Sequence, residues 1–166
     1  MRLNLNDIIG RPGARKPFAF DLDLADINFP QVEKLDTPFP ASGYVENKAG
    51  ALELVGELML SLTYSCDRCM KHVHVQETQP IRAHLAEKLM DEENPDLFLV
   101  EDGFVDLDEV FTTAFVLGME PKFICTEDCA GLCTTCGADL NENPCTCKKE
   151  VDPRLAALQQ LLDKDE

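Results

Sequence analysis

Little in this sequence suits it to holding a polyanion or crossing a membrane. Only 15 Lys and Arg stand against 31 Asp and Glu, a formal net charge of −16. Such a surface repels nucleic-acid phosphates and attracts basic partners over a Debye length of about 8 Å. The plainer alternative is a solvated acidic surface that aids solubility. No run approaches the ~20 apolar residues that a membrane helix needs. The opening MRLNLNDIIGRPG lacks an apolar core of signal-peptide length and a small-residue cleavage site, so a cytoplasmic location is expected. Tryptophan is absent and histidine occurs three times. No nucleophile–base arrangement, phosphate-binding glycine loop or paired-histidine motif stands out. Neither an enzyme nor a small-molecule substrate is expected.

What the chain does have is cysteine. There are eight, and CAGLCTTCGADLNENPCTC, from Cys129 to Cys147, holds five of them. A reducing compartment disfavours stable disulfides, and eight cysteines allow 105 pairings with nothing to choose among them. The spacing is more informative. The cysteines fall into four pairs: Cys66-x2-Cys69, Cys125-x3-Cys129, Cys133-x2-Cys136 and Cys145-x-Cys147. Each pair can offer two sulfurs to one ion from a tight turn, and two pairs complete a tetrahedral four-thiolate zinc site. Two structural zinc ions are therefore expected. The compact site is Cys133, Cys136, Cys145 and Cys147, with Gly137 letting the backbone turn toward the sulfurs. By elimination, Cys66, Cys69, Cys125 and Cys129 form the second site, although Cys129 and Cys133 are also four apart. His72 and His74 read as strand residues rather than ligands, because four thiolates already suffice, and His84 reads as a surface residue. Four thiolates also close the shell that a catalytic zinc keeps open. A thioredoxin-like use of Cys-x-x-Cys calls for a βαβ context that neither pair has.

The pattern around the cysteines is α+β: a mainly antiparallel sheet, one packed helix, a C-terminal cysteine-rich zinc ribbon or knuckle, and a short terminal helix. FAFDLDL (18–24) alternates at period two, as a half-buried strand does. RPGARKP (11–17) reads as a turn-rich loop, and the prolines of 30–41 make that stretch an extended connection. Leu58, Leu60, Leu62 and Tyr64 alternate after a hairpin loop at ENKAG, and a second hairpin turns at DRCMK before Val73 and Val75. Residues 80–90 are open between helix by propensity and strand by context. DLFLVEDGFVDL reads as a hairpin turning at Asp102–Gly103. Asp106 and Glu109 have capping-box spacing ahead of a helix with Val110, Phe111, Ala114 and Phe115 on one face, and Gly118 is its stop. Asp152–Pro153 opens a closing helix with Leu155, Leu158, Leu161 and Leu162 as its apolar stripe. The expected division is a β-rich core at 1–122, a cysteine-rich segment at 123–150 and a helical tail at 151–166.

Three motifs, Cys-x-Arg-Cys at 66–69, Gly-Leu-Cys-x-x-Cys-Gly-x-x-Leu-Asn at 131–141 and Asp-Pro-Arg-Leu-Ala-x-Leu at 152–158, occur in this order. In that order the chain resembles the YceD family, the large ribosomal RNA subunit accumulation proteins, from about residue 40 to the end. The resemblance implies a non-enzymatic cytosolic protein linked to 23S ribosomal RNA accumulation and large-subunit assembly. Some family members keep the Cys-x-Arg-Cys pair and lack the later ribbon, which supports dividing the cysteines between two sites. The acidic charge then points to contact with a basic ribosomal protein or an assembly intermediate. Direct RNA contact through Lys71, Lys122, Lys148, Lys149 and Arg154 is the alternative, though these are scattered and lack an aromatic ladder. A redox- or zinc-responsive interaction module is a third reading, since exposed thiolates oxidise and release metal.

Overall fold

The computed structural model describes residues 1–25, 27–30, 32–87 and 97–147. Its spine is a long hairpin of β5 (Ala51–Ser65) and β6 (His72–Ala86), paired antiparallel from Leu52–Leu85 to Ser65–His72. Strict alternation over this length gives the hairpin one apolar face, with Leu52, Leu54, Leu58, Leu60, Leu62 and Tyr64 all buried. On the other edge of β5, β4 (Phe39–Lys48) pairs along residues 51–58, and β3 (Val32–Leu35) pairs along residues 62–64. Strand β2 (Arg15–Leu22) adds to β4, and β7 (Leu97–Leu99) joins the end of β6 in parallel. A separate two-stranded ribbon pairs β1 (Arg2–Asn4) with β8 (Phe104–Asp106).

The β4–β5 turn is Ala49–Gly50, both at positive φ (55° and 101°), the geometry of a two-residue hairpin whose twist matches its strands. Beside it, the buried Asn47 carboxamide donates to the Ile8 and Ile9 carbonyls (2.8 and 2.7 Å) and accepts from the Gly50 amide (2.8 Å). A buried amide saturated in this way ties the N-terminal segment to the sheet without leaving an orphan polar group.

The helix α1 (Leu107–Gly118) closes the apolar face. Its cap is Asp106, whose side chain accepts from the Asp108 amide at 3.0 Å. Val110, Phe111 and Phe115 are fully buried beneath it. Phe111 meets Phe18 and Phe20 edge-on at 5.7 and 5.2 Å between ring centroids. Room for these rings comes from a glycine pair: Gly43 lies opposite Gly56 across β4 and β5. A Cβ on Gly56 would come within 3.0 Å of Phe111 Cζ, and one on Gly43 within 2.3 Å of the Val55 carbonyl oxygen.

The α+β reading and the mainly antiparallel sheet agree with this architecture. Two local readings need correction, and one that was open is settled as strand. Arg15–Pro17 belong to β2 rather than to a loop, because Arg15 pairs with Glu46 at 3.1 Å and lies over the Tyr44 ring. Residues 80–86 are strand, since the register to β5 supplies backbone partners that helix propensity cannot weigh; residues 88–90 lie outside the described set. The Asp102–Gly103 turn exists, with φ of 53° and 80°, but its flanking strands join different sheets rather than one hairpin. The closing helix expected from residue 152 also lies outside the described residues.

Candidate metal centres

Both tetrads grow from the same backbone device. At the tip of the β5–β6 hairpin, the Cys66 carbonyl accepts from the Met70 amide (2.9 Å) and the Cys66 amide donates to the Lys71 carbonyl (2.9 Å). At the second Cys-x-x-Cys, the Cys133 carbonyl accepts from the Gly137 amide (2.8 Å) and the Cys133 amide donates to the Ala138 carbonyl (2.8 Å). The residue after the second cysteine must take positive φ for this turn to close; Gly137 does so at 74° and Met70 at 60°. The two turns are therefore equivalent, which the spacing hints at and the Met–Gly difference conceals.

The sulfurs gather in two groups, Cys66, Cys69, Cys125 and Cys129 in one and Cys133, Cys136, Cys145 and Cys147 in the other, each with all four within 4.8 Å of one another. The Cys66 and Cys129 sulfurs are 3.9 Å apart and those of Cys69 and Cys125 are 3.6 Å apart. Metal–sulfur bonds of 2.3 Å in a tetrahedron put sulfurs about 3.8 Å apart, whereas a disulfide needs about 2.05 Å. All eight cysteines are free. The donor chemistry and the spacing both fit a closed four-thiolate ion site.

The first tetrad is assembled from two distant segments. Cys66 and Cys69 come from the hairpin tip, and Cys125 and Cys129 come from the segment that follows α1. Asp67 clamps the two: its amide donates to the Phe123 carbonyl (2.8 Å) and its carboxylate accepts from the Phe123 amide (2.7 Å). Tyr64 packs on Phe123 at 4.7 Å between ring centroids, tilted by 37°, and donates its hydroxyl to the Ile124 carbonyl (3.2 Å). The Arg68 guanidinium donates to the Glu127 and Cys129 carbonyls (3.1 and 2.9 Å). As a result Cys66, Cys69 and Cys129 are buried, whereas Cys136 and Cys147 of the second tetrad are exposed.

Each tetrad has one thiol poised to ionise first. Burial opposes the Cys66 thiolate most strongly, but the amides of Arg68, Cys69 and Cys125 outweigh it and bring the thiol down to about 6. The Cys136 and Thr135 amides, then the Cys145 thiol, bring Cys133 to about 6. At Cys69 the Lys71 amide favours the thiolate, yet burial and the neighbouring thiols push it up to about 12. The Cys136 and Cys145 thiols push Cys147 to about 12 as well. Where a lowered thiol sits beside raised ones, an incoming cation displaces the protons that the raised thiols hold.

His72 and His74 lie on β6 and belong to neither tetrad. His72 pairs with Glu33 at 2.7 Å, His74 lies 3.3 Å from the Thr63 hydroxyl, and His84 is exposed. Of the bases considered for RNA contact, Lys71 and Lys122 are exposed and the other three lie outside the described residues. Reasoning from spacing missed Asp67, Arg68 and Asn141, which brace the sites without being ligand types. Arg68 and Asn141 sit inside quoted motifs, the only signal of them in the sequence. Among the described residues no helix is long and apolar enough to cross a membrane.

An uncharacterized protein of Mycobacterium leprae is 31% identical over 128 residues, covering 73% of this chain and 58% of its own length. One of Mycobacterium tuberculosis is 27% identical over 122 residues, covering 71% and 59%. The chain thus spans less than two thirds of the curated relatives it matches. No solved structure matches it. The match to the large ribosomal RNA subunit accumulation protein YceD runs over residues 54–162, taking in β5 from Leu54, all of β6, α1 and all eight cysteines, and the chain belongs to that family.

Proposed function

We propose that this chain is a non-enzymatic, zinc-braced factor of large ribosomal subunit assembly that works by holding a basic protein partner. The observation that carries the reading is the pair of four-sulfur tetrads. Cys66, Cys69, Cys125 and Cys129 hold one ion, and Cys133, Cys136, Cys145 and Cys147 hold the other. Zinc suits an all-thiolate tetrahedron, and four protein ligands leave no position at which water could be activated. The ions therefore shape a surface and do no chemistry. That surface belongs to a chain of net charge −16, which favours a strongly positive ribosomal protein over ribosomal RNA. The family's link to ribosomal RNA accumulation supplies the process and supports a cytoplasmic site of action. The β-rich part to residue 122 supplies the platform, 123–150 the metal-braced lobe and 151–166 a tail.

A tagged pull-down from the native host, at low and moderate salt and with and without nuclease, tests this. Basic ribosomal proteins that survive nuclease and fall away with salt are the expected outcome. Precursor 23S ribosomal RNA recovered only without nuclease would replace protein holding with direct RNA binding.

A further inference from the structure

The two tetrads are not independent attachments. The loop that carries the second tetrad folds back over the first. Gly131 is buried at φ 75°, and a Cβ there would come within 2.9 Å of the Arg68 carbonyl oxygen. That same carbonyl accepts from the Leu132 amide at 2.9 Å, immediately before Cys133. On the far side of the second Cys-x-x-Cys, Leu132 bridges Asp139, and the Leu140 amide donates to the Gly131 carbonyl (2.9 Å). This closes a small loop around Cys133 and Cys136 whose free end presents Asn141. The Asn141 carboxamide holds the segment at Cys129 with both ends: its oxygen accepts from the adjoining Ala130 amide (2.8 Å), and its nitrogen donates toward the Cys129 sulfur (3.6 Å). The Asn141 nitrogen also donates to Asp139 (2.7 Å), and the Asp139 carboxylate accepts from the Asn141 amide (2.9 Å), so the side chain is held at its own root.

We propose that the two tetrads bind metal as one coupled unit, with Asn141 the positioning residue that transmits order in the 133–147 loop to Cys129. The inference rests on the metal reading above. A donor aimed at a ligand sulfur withdraws charge and fixes its direction, and such outer partners typically carry about 10- to 100-fold in metal affinity. The 133–147 loop is too short to bury a core of its own, so its order depends on its own ion. When that ion leaves, Asn141 loses its place, and the buried tetrad loses a hydrogen bond to sulfur although none of its four ligands has changed. The exposed tetrad thereby sets the grip of the buried one.

The test uses cobalt(II) titration of the full chain, with occupancy of the first tetrad read by alkylation protection of Cys66 and Cys129. Four chains are compared: the natural sequence, Asn141→Asp, Cys133→Ser with Cys136→Ser, and all three changes together. Asn141→Asp keeps the acceptor for Ala130 and replaces the donor with a carboxylate oxygen. The expected result is two ions in the natural chain and roughly 10- to 100-fold weaker protection of Cys66 and Cys129 in either variant. The combined variant should be no weaker than the worse of the two, because both changes break one path. Asn141→Asp should also move the sulfur-to-cobalt charge-transfer band to lower energy, which a loop role alone would not do. No cobalt in the natural chain overturns the metal reading and this proposal with it. Two ions in the natural chain, with protection of Cys66 and Cys129 unchanged in both variants, would overturn the coupling alone.

Discussion

The Cys66 and Cys129 sulfurs lie 3.9 Å apart although 63 positions separate them in the chain. That contact fastens the far end of the β5–β6 hairpin to the segment leaving α1, well away from the aromatic core around Phe111. The two parts have separate sources of stability. The core buries its own apolar cluster, whereas Cys66, Cys69 and Cys129 form a second, cysteine-dominated cluster. Metal analysis of protein purified under reducing conditions should give two zinc ions per chain. Removing them with a chelator should raise amide exchange at 64–71 and 123–147 and leave protection in β2, β4 and α1. Cys133→Ser with Cys136→Ser should likewise spare the sheet. Global loss of protection in either case would mean that the metal lobe is integral to the core.

Protons compete with metal for the same sulfurs, and the direction follows from the thiols. Cys69 is pushed up to about 12 and Cys125 is raised above its usual value of 9.0, the latter mainly through the Cys129 thiol. Near neutral pH both are protonated in the free site and must give up protons on binding. Cys66, at about 6, has already done so. The stability that metal confers is therefore greatest at high pH and is lost as pH falls. With at least two protons displaced, affinity should drop by about 100-fold or more per pH unit below about pH 8, and more steeply below about pH 6. Competition with a chelator of known affinity across that range measures the slope. A slope near zero would argue that something other than thiolate holds the ion.

Met70 occupies the position that Gly137 occupies in the second turn, at φ 60°. Left-handed backbone costs a non-glycine residue about 1–2 kcal/mol, while glycine loses about 0.5–1 kcal/mol more chain entropy on folding. Met70 is 61% exposed, so little packing is at stake. Met70→Gly should therefore stabilise the hairpin tip by roughly 0.5–1 kcal/mol, seen as slower release of metal from the first tetrad. Faster release would show that the Met70 side chain makes a contact worth more than the strain.

The features readable in the sequence were those carried by short-range periodicity. Leu58 to Tyr64 announce a strand because side chains alternate wherever the strand goes, and the Asp106–Glu109 spacing announces a helix, although the amide that Asp106 accepts from is that of Asp108. The four cysteine pairs are likewise local. What was not readable depends on partners chosen from far away. Nothing near Leu97 says that it will run parallel to His84, or near Phe104 that it will pair with Asn4. Asp102–Gly103 advertised a turn correctly and its flanking strands still parted. Arg68 and Asn141 escaped for the same reason: their partners at Cys129 lie 61 and 12 positions off, and neither is a ligand type.

The glycine pair under Phe18 and Phe111 offers a change confined to the core. Gly43 has no positive φ to explain it; the space above it does, since a Cβ would meet the Val55 carbonyl oxygen at 2.3 Å and the Gly56 Cα at 2.6 Å. Those two obstacles are backbone and the third, Phe18 Cζ at 2.9 Å, is a ring, so the β4–β5 pairing and Phe18 must both give. Gly43→Ala should cost about 1–3 kcal/mol, the range for overpacking a well-filled core. Phe111→Ala, which removes the ring that Phe18 packs against edge-on, should cost about 3–5 kcal/mol. Their combination should cost less than the two together, because removing the ring frees Phe18 to shift away from β4. Denaturant unfolding of the metal-loaded chain measures all three, with metal content as the control. Two ions retained by each folded variant would place the change in the core alone, whereas loss of metal from Gly43→Ala would show that the strain travels along β5 to Cys66.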